Sequence, residues 1–101
     1  MEDKQNNKVD IKHDQDLRRY TISYDDGATP AGYLEYEVYG TDRYFTHTIV
    51  KEEYGGRGLA GLLVGEAAKD TSGKGLTIVA ECPYVKDWMK KNDYQGDWRN
   101  A

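Results

Sequence analysis

Gly55-Gly56-Arg57-Gly58-Leu59-Ala60 is a glycine-rich turn that follows a β-rich segment ending near Val50 and runs directly into an apolar stretch. Glycines let the backbone turn tightly and approach a ligand closely. The first turn of the following helix carries N–H groups with no intrahelical partner. With the positive end of the helix dipole, those donors suit a phosphate or pyrophosphate. A plain packing turn is the alternative that this stretch alone leaves open. Two common phosphate loops are excluded. A Walker-type loop needs Gly-Lys-Ser/Thr at the helix start, where this chain has Gly58-Leu59-Ala60, and Gly73-Lys74-Gly75 lacks both the earlier glycine and the hydroxyl. A dinucleotide fingerprint needs a parallel βαβ unit, whereas the residues upstream read as an antiparallel meander.

Downstream of the turn the apolar period is helical. Leu59, Leu62, Leu63 and Ala67, with Ala60, Val64 and Ala68 beside them, form the packing face, and Glu66, Lys69 and Asp70 form the wet one. Gly61 and Gly65 lie four residues apart on this helix, consistent with close approach of another backbone or a ligand, or with simple tight packing. Gly73 is the expected C′ residue. Leu76–Ala80 reads as a buried strand parallel to its neighbour, because it follows a crossover helix. Pro83 then opens a short helix with Tyr84, Val85, Trp88 and Met89 as its apolar face and Lys90 and Lys91 near its end. Order is expected to fade after Tyr94, with Trp98 able to fold back onto the body.

Upstream, the period is two. Arg19–Tyr24 places Tyr20, Ile22 and Tyr24 on one face, and Asp25-Asp26-Gly27 is a turn signal. Ala31–Tyr39 sets Leu34, Tyr36 and Val38 against Tyr33, Glu35, Glu37 and Tyr39, and Gly40-Thr41-Asp42 turns the chain again. Continued alternation through Arg43–Val50 groups Phe45, His47 and Ile49 on one face, opposite Tyr44, Thr46, Thr48 and Val50. A short strand begins near Val9 and Ile11, while residues 1–8 are polar and expected to form a disordered tail. The expected fold is therefore α+β: a meander of three to four antiparallel strands, the glycine turn, a crossover helix, a parallel strand and a short helix. Residues 9–98 form the single domain.

Composition narrows the function. The 101 residues suffice for one core, and the formal net charge is -4. Lys and Arg are dispersed among Asp and Glu, which argues against general nucleic-acid binding. No apolar run approaches the ~20 residues of a membrane span and the polar start is no signal peptide, so a cytoplasmic location is expected. One cysteine excludes an internal disulfide framework, and two histidines provide no zinc-ligand spacing, so no metal is expected. The nine tyrosines fit strand-rich structure without identifying a function.

His47-Thr48-Ile49-Val50, Gly56-Arg57-Gly58-Leu59-Ala60 and Cys82-Pro83-Tyr84-Val85, followed by a basic short helix ending near Tyr94, are together more specific than the turn alone. In this order they resemble the small single-domain branch of the GCN5-related N-acetyltransferases, over about Val9–Trp98. The resemblance implies acetyl-CoA as cosubstrate and an amine as acceptor. It implies pyrophosphate contacts from the turn and helix start, Arg57, Gly58, Leu59, Ala60 and Gly61. The pantetheine arm would pair with the backbone of Ile49 and Val50, where strands splay apart. The superfamily motif begins with Gln or Arg where this chain has Gly55, so one side-chain phosphate contact is missing or falls to Arg57. Glu52 and Glu53 disfavour an anion unless they turn outward.

By the same resemblance the thioester points toward His47 and Cys82. Cys82 is then a candidate nucleophile or acyl carrier, or a buried core thiol. His47 is the candidate base, or a core histidine beside Phe45 and Ile49. Tyr84 or Tyr94 is a candidate proton donor to the departing thiolate, against a packing role in a tyrosine-rich chain. His13 is expected at the surface. Three readings remain: an N-acetyltransferase acting directly or through Cys82, a non-catalytic acetyl-CoA-binding module such as a sensor or adaptor, and a structural domain without ligand.

Overall fold

A computed structural model describes the whole chain, Met1–Ala101. Six strands form one mixed sheet in sequence order: β1 (Asp10–Asp14), β2 (Arg19–Tyr24), β3 (Thr29–Tyr39), β4 (Asp42–Val50), β5 (Thr77–Ala80) and β6 (Trp98–Asn100). Strands β1 to β4 pair antiparallel, and β5 runs parallel to both β4 and β6. Helix α1 (Leu59–Gly73) links β4 to β5, and α2 (Pro83–Lys91) links β5 to β6. The α+β class and the order of elements agree with the sequence reading.

Both crossovers step in the same direction across the sheet. A right-handed connection then puts both helices on one face. Leu59, Leu63, Val64, Ala67 and Ala68 of α1 and Val85 and Met89 of α2 join Tyr20, Ile22, Leu34, Tyr36, Phe45 and Ile78 of the sheet in one buried cluster. At roughly 1.5–3 kcal/mol for each fully buried large apolar side chain, this layer is the main stabilising contribution. The opposite face carries Tyr33, Glu35, Glu37 and Tyr39 of β3 and has no helix over it.

Two irregularities shape the sheet. Between β2 and β3 the register slips at Ile22/Ser23, and between β3 and β4 it slips at Glu35/Tyr36. Glu35 pairs with His47 and Tyr36 with Phe45, so Thr46 is the extra residue of a bulge. The slip corrects the expected facing of β4. Beyond Thr46, Thr48 and Val50 lie opposite Leu34 and Gly32, on the helix side with Phe45. His47 and Ile49 lie opposite Glu35 and Tyr33, on the bare face.

The chain ends also differ from expectation. Residues 1–8, expected as a disordered tail, fold back onto the glycine turn. The Asp3 carboxylate, in a residue only 5% exposed, accepts from the backbone N–H groups of Gln5 and Asn7 and from the Tyr24 hydroxyl, at 2.8, 2.9 and 2.6 Å. These bonds tie down a segment whose single apolar residue, Met1, is exposed. At the other end Trp98 packs against the core and Trp98–Asn100 adds a strand beyond Tyr94. Helix α1 runs through Gly73, and Gly75 takes the left-handed conformation after it, at φ 73°.

Candidate functional site

Strands β4 and β5 stay in register only from Asp42/Thr77 to Phe45/Ala80. The Cys82 N–H then donates to the Phe45 carbonyl at 2.9 Å, and the chain leaves β5 into α2. Strand β4 continues to Val50 paired only with β3, so its other edge beyond the bulge is open toward α2. The Lys51 N–H donates to the Ala31 carbonyl at 2.9 Å, directing Lys51 and, by alternation, Ile49 toward β3. The Ile49 carbonyl agrees, lying 2.6 Å from where a Gly32 Cβ would stand. Thr48 and Val50 therefore turn their N–H and C=O groups toward the open side. The sequence reading named Ile49 and Val50 as pairing positions; Val50, like Thr48, presents its backbone to the open side, whereas Ile49 presents its backbone to β3 and its side chain is exposed.

The glycine turn closes one end of this opening. After the single 3-10 turn Glu52–Tyr54, Gly56 and Gly58 adopt φ 74° and 78°, conformations that ordinary L residues avoid. Gly58 is the N-cap residue of α1 and supplies no side-chain cap. The first intrahelical bond runs from Leu62 N–H to Gly58 C=O, leaving the Leu59, Ala60 and Gly61 N–H groups available to an anion. The Glu52 and Glu53 side chains are solvent-exposed. The Arg57 guanidinium is engaged elsewhere. It lies 5.3 and 5.6 Å from the ring centroids of Tyr54 and Tyr24, and donates to the Tyr24 hydroxyl at 3.4 Å. The Tyr24 hydrogen bond holds Asp3 below the usual carboxylate range, and both Tyr24 and Arg57 are raised, Tyr24 chiefly by burial.

The other end is built by α2. Cys82 is its N-cap residue, 8% exposed, with its thiol 3.9 Å from the Thr48 hydroxyl. Tyr84 is half-exposed, and its hydroxyl stands 3.6 Å from where a Gly61 Cβ would be. Burial pushes its phenol upward, so it carries its proton at neutral pH. Trp88 lies beside Gly61 and Gly65, where an added Cβ would stand 3.8 and 3.4 Å from its ring, so packing between the helices does not itself demand glycine at either position. Thr48 thus meets Cys82, and Gly61 meets Tyr84, so the cleft between the open edge of β4 and the starts of the two helices is framed by these contacts.

His47 and Tyr94 stand apart from it. His47 lies on the bare face, with Nδ1 3.1 Å from the Thr46 hydroxyl and 3.9 Å from Glu35. The bulge separates it from Cys82, because Thr48 faces the thiol and His47 faces the other way. Glu37 and Glu81 share the open hollow beside it. The Tyr94 hydroxyl donates to the Ala68 carbonyl at 3.1 Å and meets the Ser72 hydroxyl. Ala68 is roughly 14 Å along α1 from Leu59 at 1.5 Å per residue, so this hydroxyl braces the far end of the helix. The sequence reading gave Thr48 no role of its own and did not foresee the Asp3 arm, since a bulge and a long-range fold-back leave no periodic signal. No group of three or more His, Cys, Asp or Glu side chains is arranged to hold a metal ion. No helix is long and apolar enough to cross a membrane.

A family model described as GCN5-related N-acetyl-transferase matches residues 19–97. The NMR solution structure of a GCN5-like protein from Staphylococcus aureus superimposes with a TM-score of 0.70 at 26% identity, covering 91% of this chain and 89% of that one. No curated protein matches. The matched residues run from β2 through α2 and include the glycine turn, the open edge of β4 and the start of α2, and the chain belongs to the GCN5-related N-acetyltransferase family.

Proposed function

We propose that this protein binds acetyl-CoA in the cleft and transfers its acetyl group to an amine, in the cytoplasm. The observation that carries the reading is the opening between β4 and β5, bordered by the starts of both helices. The Leu59, Ala60 and Gly61 N–H groups receive the pyrophosphate. Thr48 and Val50 pair with the pantetheine amides, as a peptide adds to a sheet edge. The thioester then lies beside Tyr84 and Cys82. The neutral amine nitrogen forms a bond to the carbonyl carbon, the C–S bond breaks, the thiolate takes a proton from the Tyr84 hydroxyl, and the proton shed by the nitrogen passes to water, which reprotonates the phenolate. A β4 backbone N–H stabilises the carbonyl oxygen as charge builds there. The separation of His47 from Cys82 favours this direct route over a relay through the thiol.

Titration of acetyl-CoA, CoA and ATP against backbone amide shifts tests binding. The largest changes are expected at Thr48, Val50 and Arg57–Gly61 for both CoA compounds; shifts confined to another region overturn the site. An amine panel followed by CoA release tests turnover, and Tyr84→Phe is expected to lower kcat about 100-fold with CoA affinity kept. Binding without turnover across the panel favours the sensor or adaptor reading. Intact-mass measurement of wild type and Cys82→Ser after acetyl-CoA incubation tests the relay. A hydroxylamine-labile acetyl group on the wild type alone would restore Cys82 as carrier.

A further inference from the structure

The glycine turn lacks a side chain for its anion. Gly55 stands at the motif's first position and contributes none, and the Arg57 guanidinium is packed on Tyr24 and Tyr54. A cation reaches the same place from outside the residues that match the family. The Lys4 N–H donates to the Arg57 carbonyl at 3.0 Å, pinning the segment before β1 onto the turn. The Lys4 stem crosses Gly58: its Cε, Cγ and Cδ lie 3.0, 3.1 and 3.3 Å from where a Gly58 Cβ would stand. Its ammonium is one bond beyond Cε, and exposed Lys4 shares with Arg57, Gly58, Gly61 and Leu62, and with Glu2 and Asp3, the lining of an open hollow at the start of α1. Lys4 forms no salt bridge, although Lys8 on the same segment pairs with Asp26 at 3.0 Å. Asp3 does not compete for it, because its carboxylate is taken by Tyr24, Gln5 and Asn7.

We infer that Lys4 is a phosphate-binding residue, supplying from the N-terminal segment the charged contact that the turn itself lacks. The inference rests on the acetyl-CoA reading and adds to it a specific anion partner, the pyrophosphate of CoA. Asp3 acts as the positioning residue: it orders the segment so that Lys4 is in place before the ligand arrives. Glycine at position 58 has a second use here, since any side chain would meet the lysine stem as well as straining the turn.

The test is calorimetric titration of CoA, dephospho-CoA and pantetheine into wild type, Lys4→Ala and Lys4→Arg, at low and at physiological salt. Lys4→Ala is expected to weaken CoA and dephospho-CoA alike, by about tenfold at low salt and less at high salt, and Lys4→Arg to stay within about threefold of wild type. Pantetheine, which has no phosphate, is expected to bind all three proteins equally. A loss seen with CoA but not with dephospho-CoA would move the contact to the 3′-phosphate and overturn the pyrophosphate assignment. Equal CoA affinity in wild type and Lys4→Ala overturns the inference while leaving the acetyl-CoA reading intact. If wild type binds no CoA compound at all, that reading falls and takes the inference with it.

Discussion

Gly32 shows how narrow the tolerance is at single positions around the cleft. It is buried opposite Val50, and a Cβ there would stand 2.6 Å from the Ile49 carbonyl oxygen and 3.1 Å from Val50 Cα. Backbone cannot swing aside as a flexible side chain can, so β3 and β4 would have to part. Gly32→Ala is expected to cost about 1–3 kcal/mol, read as a lower urea midpoint, and to weaken CoA binding by disturbing the edge that ends at Val50. Unchanged stability would show that the pairing yields without cost. Gly65 gives the opposite expectation. An added Cβ would meet Trp88 at 3.4 Å, an ordinary contact, so Gly65→Ala is expected to stabilise the protein by up to about 1 kcal/mol through helix propensity. Neither consequence is visible in sequence, where Gly32 reads as one residue of an alternating strand.

At the scale of elements, α1 is fastened to the sheet at both ends by different chemistry. Its start meets the glycine turn, and its far end meets a polar cluster around Asp70. The Asp70 carboxylate accepts from the Tyr20 hydroxyl at 2.5 Å and from Lys74 at 2.9 Å, and Arg43 donates to both Tyr20 and Thr71. His13 stacks on Tyr20 with ring centroids 4.2 Å apart, and its Nε2 meets the Tyr36 hydroxyl at 2.6 Å. Burial opposes the Asp70 charge, but Tyr20, Lys74 and His13 together hold its carboxyl below the usual range. Burial first, and Lys74 next, lower His13. A folded-state value below the unfolded one means that His13 contributes fully above about pH 6.5 and that this contribution is lost as pH falls. Asp70 follows the same sign at more acidic pH. The urea midpoint is therefore expected to drop between pH 7.5 and 5.5 in wild type and to drop less in His13→Gln; parallel declines would remove His13 from the explanation. The sequence reading placed both residues in water, because their helical and strand periods mark a face but not which polar side chains meet across it. It did locate β1 to β5, α1 and α2, where apolar period and turn residues act locally. The bulge at Thr46 escaped because alternation was counted through it, and with it went the facing of His47, Thr48, Ile49 and Val50.

For the molecule as a whole, the sheet is covered on one face only, and its last strand is the shortest. The C-terminal residues nevertheless complete that layer. Ile78 N–H donates to the Asp97 carbonyl at 3.0 Å, Ala101 N–H to the Ala80 carbonyl at 3.4 Å, and Trp98 packs against the buried cluster. Strand β5 has only the residues Thr77–Ala80 with which to hold its place between its neighbours. A chain ending at Tyr94 keeps the Tyr94 brace on α1 but leaves β5 as an edge strand and uncovers core around Trp98. These two outer hydrogen bonds of the β5–β6 ladder at about 1 kcal/mol each, with partial loss of a large aromatic contact, already give an expected destabilisation of at least about 3 kcal/mol. That is a large fraction of the 5–15 kcal/mol typical of a domain. The truncated chain is expected to unfold at lower urea while still binding CoA in the cold, since Thr48, Val50 and the α1 start lie beyond the register shared with β5. Equal urea midpoints for the full and truncated chains would mean that the last residues add nothing to the fold. Loss of CoA binding from a truncated chain that remains folded would tie the cleft to β6.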